Sequence, residues 1–233
     1  MKIQNSNRAI LILESPWELD VGDSNRSSVI PFVEGIAKFA GDTEVYHANF
    51  YDKNSFIKAL YCLCKTSFQN TIVYIAAHGY KQKIGGVTIQ ELMSEVGEKS
   101  KKHNITGLML GSCFVGGNLP TMEVYIQNTN LKWCAGYATS SAWLEGTFID
   151  CAIMSGMSNL EHDDYNNEDE MIRSLGRSIS SFSDKFSIGE DYHNKPVKLR
   201  NSLQFVIQPS GKGKRAKTVT DNVFYEYDRF QNI

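Results

Sequence analysis

No charge of one sign dominates this sequence: 24 Lys and Arg face 26 Asp and Glu over 233 residues, a formal net charge of −2. A chain held to nucleic acid by its overall field would be clearly basic, so nucleic acid is not an expected partner. Near the N-terminus the apolar run AILIL (9–13) has only five residues. That is too short for a signal-peptide core and far too short to span a bilayer, so neither export nor a membrane partner is expected. Cysteine is scarce and irregular. The five residues Cys62, Cys64, Cys113, Cys134 and Cys151 are odd in number and include no Cys-x-x-Cys pair, which speaks against a disulfide framework and against structural zinc. Free thiols in a reducing cytoplasm are the expectation, most of them packed as small apolar side chains. No glycine-rich phosphate loop follows the first apolar run, against a nucleotide-binding fold. The acidic stretch EHDDYNNEDE (161–170) lacks the spacing of a calcium loop. No cofactor and no metal are expected.

What is present is an ordinary globular composition, 42% hydrophobic and 21% charged, patterned as alternating strands and helices. Largely apolar stretches at 9–13, 72–77, 105–110, 133–138 and 203–207 predict strands, and 44–49 reads as another. Helical spacing predicts helices at 27–39, 55–65, 88–101, 143–154 and 171–186. Continuous apolar runs such as TIVYIAA suit strands buried on both faces. The fold class expected is therefore α/β, around a mostly parallel central sheet of about six strands. The terminal VFYEYDRF alternates and reads as an edge strand. No repeat or linker divides the chain. The expected organisation is a domain over residues 1–209, then a basic loop (GKGKRAK) and edge strand over 210–233.

In a parallel sheet, functional side chains collect beyond the carboxyl ends of the strands. Two residues stand there with reactive groups, His78 after the strand ending at Ala77 and Cys113 after the strand ending at Leu110. One helical crossover joins these strands, which allows them to be neighbours. A thiol is only slightly ionised near neutral pH, so an adjacent imidazole is useful to it. Glycines at 79, 111, 116 and 117 let the flanking backbone approach a ligand. Backbone amides of Gly79 and Cys113 are candidates for an oxyanion hole.

The pair IVYIAAHGY and ITGLMLGSCFVGG resembles the corresponding strand ends of caspase-like cysteine peptidases, a group that includes caspases, metacaspases and bacterial relatives. The segments CAGYATSSAWLEGTFIDCAI, EMIRSLGRSISSFSDKF and LQFVIQP extend the resemblance over roughly residues 9 to 209, and the opening LILESPWELD and NRSSVIPFVEGI resemble uncharacterised bacterial members. The resemblance implies a three-layer sandwich and a Cys–His dyad, with Cys113 as nucleophile, His78 as general acid/base, and the Gly79 and Cys113 amides as oxyanion hole. It implies a protein or peptide as substrate, with bacterial defence or stress as a setting. The stretch from Cys113 to Trp133 is too short for a long excisable linker, so an activating partner that orders the loops is the alternative to cleavage. A catalytically silent binding or scaffold module is the alternative. The sequence departs from the caspase pattern. Gly-Ser-Cys-Phe-Val-Gly stands where caspases have Gln-Ala-Cys-x-Gly, and the histidine lies 35 residues upstream of the cysteine, where about 50 is usual. The acid that metacaspases carry two residues before the cysteine is Gly111 here.

Loops after the first and fifth strands form the substrate pocket in that family. They offer Glu14, Glu18, Asp20, Asp23 and Arg26, and then Ser140, Ser141, Trp143 and Glu145. Glu14, Asp20, Arg26, Ser140 and Trp143 are the candidate substrate-binding residues. A carboxylate there would select Lys or Arg by charge pairing. Arg26 would select an acid; the carboxylates outnumber it. Trp143 is equally suited to anchoring its helix. Cys134 and Cys151 fall on predicted core faces, Cys62 and Cys64 on a helix, and the remaining histidines in loops or on the surface.

Overall fold

The continuous apolar runs form strands whose alternating side chains are buried on both faces of one sheet. The computed structural model describes residues 7–16, 28–65, 68–80 and 82–232. In chain order it runs β1 (Arg8–Glu14), α1 (Ile30–Ala40), β2 (Thr43–Asn49), α2 (Lys53–Leu63) and β3 (Asn70–Ala76). A small three-stranded sheet follows, β4 (Gly79–Tyr80), β5 (Lys83–Ile84) and β6 (Val87–Thr88). Next come α3 (Ile89–His103), β7 (Ile105–Gly111), α4 (Leu119–Ile126), β8 (Trp133–Tyr137), α5 (Trp143–Ser158) and α6 (Glu168–Ile179). The chain ends with the hairpin β9 (Ser187–Glu190) and β10 (Pro196–Lys198), the short α7 (Leu199–Ser202), β11 (Leu203–Ile207), β12 (Lys217–Thr218) and α8 (Thr220–Gln231).

Seven strands form the central sheet in the order β12-β11-β8-β7-β3-β1-β2. The pairings β1–β2, β1–β3, β3–β7 and β7–β8 are parallel, and β8–β11 and β11–β12 antiparallel. Strand alternation sorts the side chains to two cores. Ile10, Ile12, Ile72, Tyr74, Met109 and Trp133 face one, with residues of α1, α5, α6 and α8. Leu11, Leu13, Val73, Ile75, Leu108 and Leu110 face the other, with residues of α2, α3 and α4. The result is a three-layer α/β sandwich with a mostly parallel sheet. Capping chemistry sets the helix starts: the Asp52 carboxylate accepts the Ser55 N–H at 2.7 Å, and Thr88 and Glu91 cap α3 reciprocally.

The C-terminal segment differs from the sequence reading. VFYEYDRF lies within α8, whose buried residues Thr220, Val223, Phe224 and Tyr227 follow helical spacing. A strand would bury Tyr225 with Val223 and Tyr227, yet Tyr225 is 66% exposed. The edge strand is instead β12, built from the end of the basic loop, where the Lys217 ammonium pairs with Glu168 at 2.7 Å. No break in the core follows residue 209: β12 completes the sheet and α8 packs on α6 and β11.

Candidate active site

The two reactive side chains come from adjacent strand ends. β3 and β7 pair in parallel with Ala76 opposite Gly111, so the residue two past each strand partner is His78 on one side and Cys113 on the other. His78 is exposed, and its carbonyl accepts the Gly85 N–H at 3.0 Å from the β5–β6 turn. Gly79 then lies against the nucleophile's own backbone: a Cβ built there would stand 2.0 Å from the Cys113 carbonyl oxygen and 2.8 Å from its nitrogen. Only glycine permits that approach, which is the physical reason for the His-Gly pair.

Cys113 is 7% exposed. Its sulfur accepts the Ser141 N–H at 3.4 Å and lies 3.9 Å from the Ser141 carbonyl oxygen. Beyond it the chain stays beside the extension of β8, with Phe114 N–H donating to the Thr139 carbonyl at 3.0 Å and Gly116 N–H to the Tyr137 carbonyl at 2.8 Å. The 138–142 segment is thus a bridge. Its Ser140 and Ala142 amides donate outward to the Glu190 and Ile188 carbonyls of β9 at 3.0 and 2.7 Å, while the Ser141 peptide group faces the thiol.

Sequence reasoning missed Asp150. This acid of α5 is 2% exposed and accepts hydroxyl hydrogen bonds from Tyr74 and Tyr137, both at 2.8 Å. Burial pushes its carboxyl up to about 7, against the lowering pull of the two hydroxyls. Asp150 occupies the space a side chain at 111 would need, its Oδ2 standing 2.5 Å from a Cβ built on Gly111. The missing acid before the cysteine therefore has a steric cause. Asp150, Gly111, Tyr74, Ser141 and Trp143 line a cavity of about 10 Å³, room for about one water. The signal in the sequence was a carboxylate set directly among apolar neighbours, in the run FIDCAI (148–153).

The other candidates separate. Glu14 is buried with both oxygens engaged, accepting from the Val29 N–H and the Ser28 hydroxyl at 2.9 Å and meeting His47 Nε2 at 3.1 Å. It ties α1 and β2 to the end of β1. Ser140 exchanges hydrogen bonds with the Glu190 backbone. Trp143 packs edge-on against Phe32, ring centres 5.7 Å apart, and its buried indole N–H has no partner among the described residues. Glu18, Asp20, Asp23 and Arg26 lie outside the described residues. Cys64, Cys134 and Cys151 are buried. Burial raises all three thiols, Cys64 to about 11 and Cys151 to about 12, which leaves them protonated. A wider groove of about 640 Å³ between α5 and α6, lined by Ser155, Asn159, Arg173 and Arg177, includes none of the strand-end residues.

No protein-family model and no curated protein matches the chain. Among solved structures it is similar to a secreted C11 cysteine protease from Bacteroides thetaiotaomicron bound to an irreversible peptide inhibitor. There the TM-score is 0.49 and the identity 6%, over 85% of this chain and 65% of that one. It is also similar to the complex of the Porphyromonas gingivalis RgpB pro- and mature domains, with a TM-score of 0.44 and 8% identity over 76% of this chain and 44% of that one. The chain thus spans less than two thirds of the length of either.

Proposed function

We propose that the protein is a cysteine endopeptidase in which Cys113 is the nucleophile and His78 the general acid/base. The carrying observation is the meeting of the two strand ends, with Gly79 packed on the Cys113 backbone and the sulfur held by a backbone N–H. In this reading the thiolate attacks a peptide carbonyl and forms a thioester as the C–N bond breaks. His78 delivers the proton to the departing amine, then takes one from the water that hydrolyses the thioester. The Gly79 and Cys113 amides face the developing oxyanion; losing one such donor commonly costs about 3–4 kcal/mol of barrier. The Ser141 carbonyl, not used by β9, supplies a main-chain acceptor for an extended substrate. Admission of a substrate side chain between Ser141, Trp143 and Asp150 requires the small cavity there to widen.

Digestion of a diverse peptide library, with new termini read by mass spectrometry, tests this. Wild-type protein is expected to generate cleavages that vanish in Cys113→Ala and fall by about two to four orders of magnitude in His78→Ala. Cleavages that persist in Cys113→Ala would refute the assignment, and a wild type without cleavages would favour the binding module.

A further inference from the structure

Phe114, immediately after the proposed nucleophile, has φ +61°. This left-handed conformation is open to glycine and costly for a bulky side chain. Something outside the loop must hold it. The Phe114 ring is stacked on Tyr192, centroids 4.2 Å apart and planes at 21°. Tyr192 belongs to the turn of the β9–β10 hairpin, and that turn is itself well fixed. The Asp191 carboxylate accepts the His193 and Lys195 N–H groups at 2.8 and 3.0 Å, and the Asp191 N–H donates to the Lys195 carbonyl at 3.0 Å. β9 is anchored on the 140–142 strip, with Ile188 fully buried. The same hairpin therefore grips both segments that hold the thiol, through Phe114 on one side and through the neighbours of Ser141 on the other.

We propose that Tyr192 is a positioning residue for Cys113. Its ring keeps Phe114 in the left-handed conformation and so fixes where the Cys113 sulfur and amide point. The proposal rests on the peptidase reading for its catalytic consequence, but its structural half can be measured without substrate. Tyr192 is 63% exposed, so its removal leaves the cores intact.

The test uses the full chain in a Cys62→Ser background, which removes the exposed thiol. Two quantities are read: kcat and KM on the best library peptide, and the rate of Cys113 alkylation by iodoacetamide, followed by peptide mass spectrometry. Tyr192→Ala is expected to lower kcat about tenfold with KM little changed, as the left-handed preference is lost. It should also speed alkylation of the buried thiol by loosening its cover. Tyr192→Phe should match the parent in both. Phe114→Gly should retain more kcat than Phe114→Ala, because glycine adopts the required backbone unaided; a pure packing role predicts no such order. Unchanged alkylation and kcat in Tyr192→Ala would overturn the proposal. A rise in both would also overturn it, making the hairpin a lid. If the parent protein cleaves nothing, the peptidase reading fails alone, and accelerated alkylation in Tyr192→Ala but not Tyr192→Phe still supports the clamp.

Discussion

At the scale of single residues, the site is governed by contacts too close for any alternative. Gly79→Ala would place a methyl within 2.0 Å of the Cys113 carbonyl oxygen, and neither strand end has slack. Overpacking of this kind costs about 1–3 kcal/mol of stability. A shift of about 1 Å at the thiol would lower turnover by about 100-fold. Thermal melting together with library cleavage checks both. Asp150 makes a second residue-scale prediction. Its carboxyl is raised to about 7 by burial, whereas an unfolded Asp titrates near about 4. Between those values the native state binds more protons than the unfolded one, so stability falls as pH rises through that window. The shift corresponds to about 4 kcal/mol at full development. Asp150→Asn should therefore flatten the decline in melting temperature between pH 5 and pH 8, measured by calorimetry. An unaltered decline would show that another group causes it.

At the scale of elements, α8 carries the correction to the sequence reading and a direct check on it. Phe224 is 2% exposed, and the Arg200 guanidinium lies 4.8 Å over its ring while also pairing with Asp184 and Asp228. Phe224→Ala should cost about 3–5 kcal/mol and lower the melting temperature by about 10 °C. Tyr225→Ala should cost almost nothing, whereas an alternating edge strand, burying residue 225 and turning 224 outward, predicts the reverse order. The elements legible in the sequence were those whose burial is written in local periodicity. The strands at 9–13 and 72–77 are continuous apolar runs, and α3 shows its apolar face. The placement of His78 and Cys113 at adjacent strand ends was legible because it needs only strand polarity and order. The rest depends on neighbours distant in the chain. The four residues of β9 carry no pattern of their own and are held by the 138–142 strip, and α4 is a single eight-residue helix capped by Asn118 with Pro120 in its first turn. Asp150 draws its meaning from Tyr74, 76 residues away, and Phe114 its backbone from Tyr192.

At the scale of the molecule, the parallel core of the sheet sets two loops side by side, and the antiparallel edge with its hairpin fixes one of them from outside. The last segments of the chain belong to that framework: β12 extends the sheet, and Val219, Val223, Phe224 and Tyr227 join the core beneath α6. In the proposed peptidase this framework turns a buried thiol into the reactive one. Exposure alone predicts the opposite, since Cys62 is exposed and Cys113 is 7% exposed. Treatment of the native protein with a peptidyl acyloxymethyl ketone, followed by mapping of the adduct by mass spectrometry, decides between them. The adduct is expected on Cys113, lost in His78→Ala while Cys62 is unaffected. An adduct on Cys62 alone, or on Cys113 to the same extent without His78, would refute the peptidase reading.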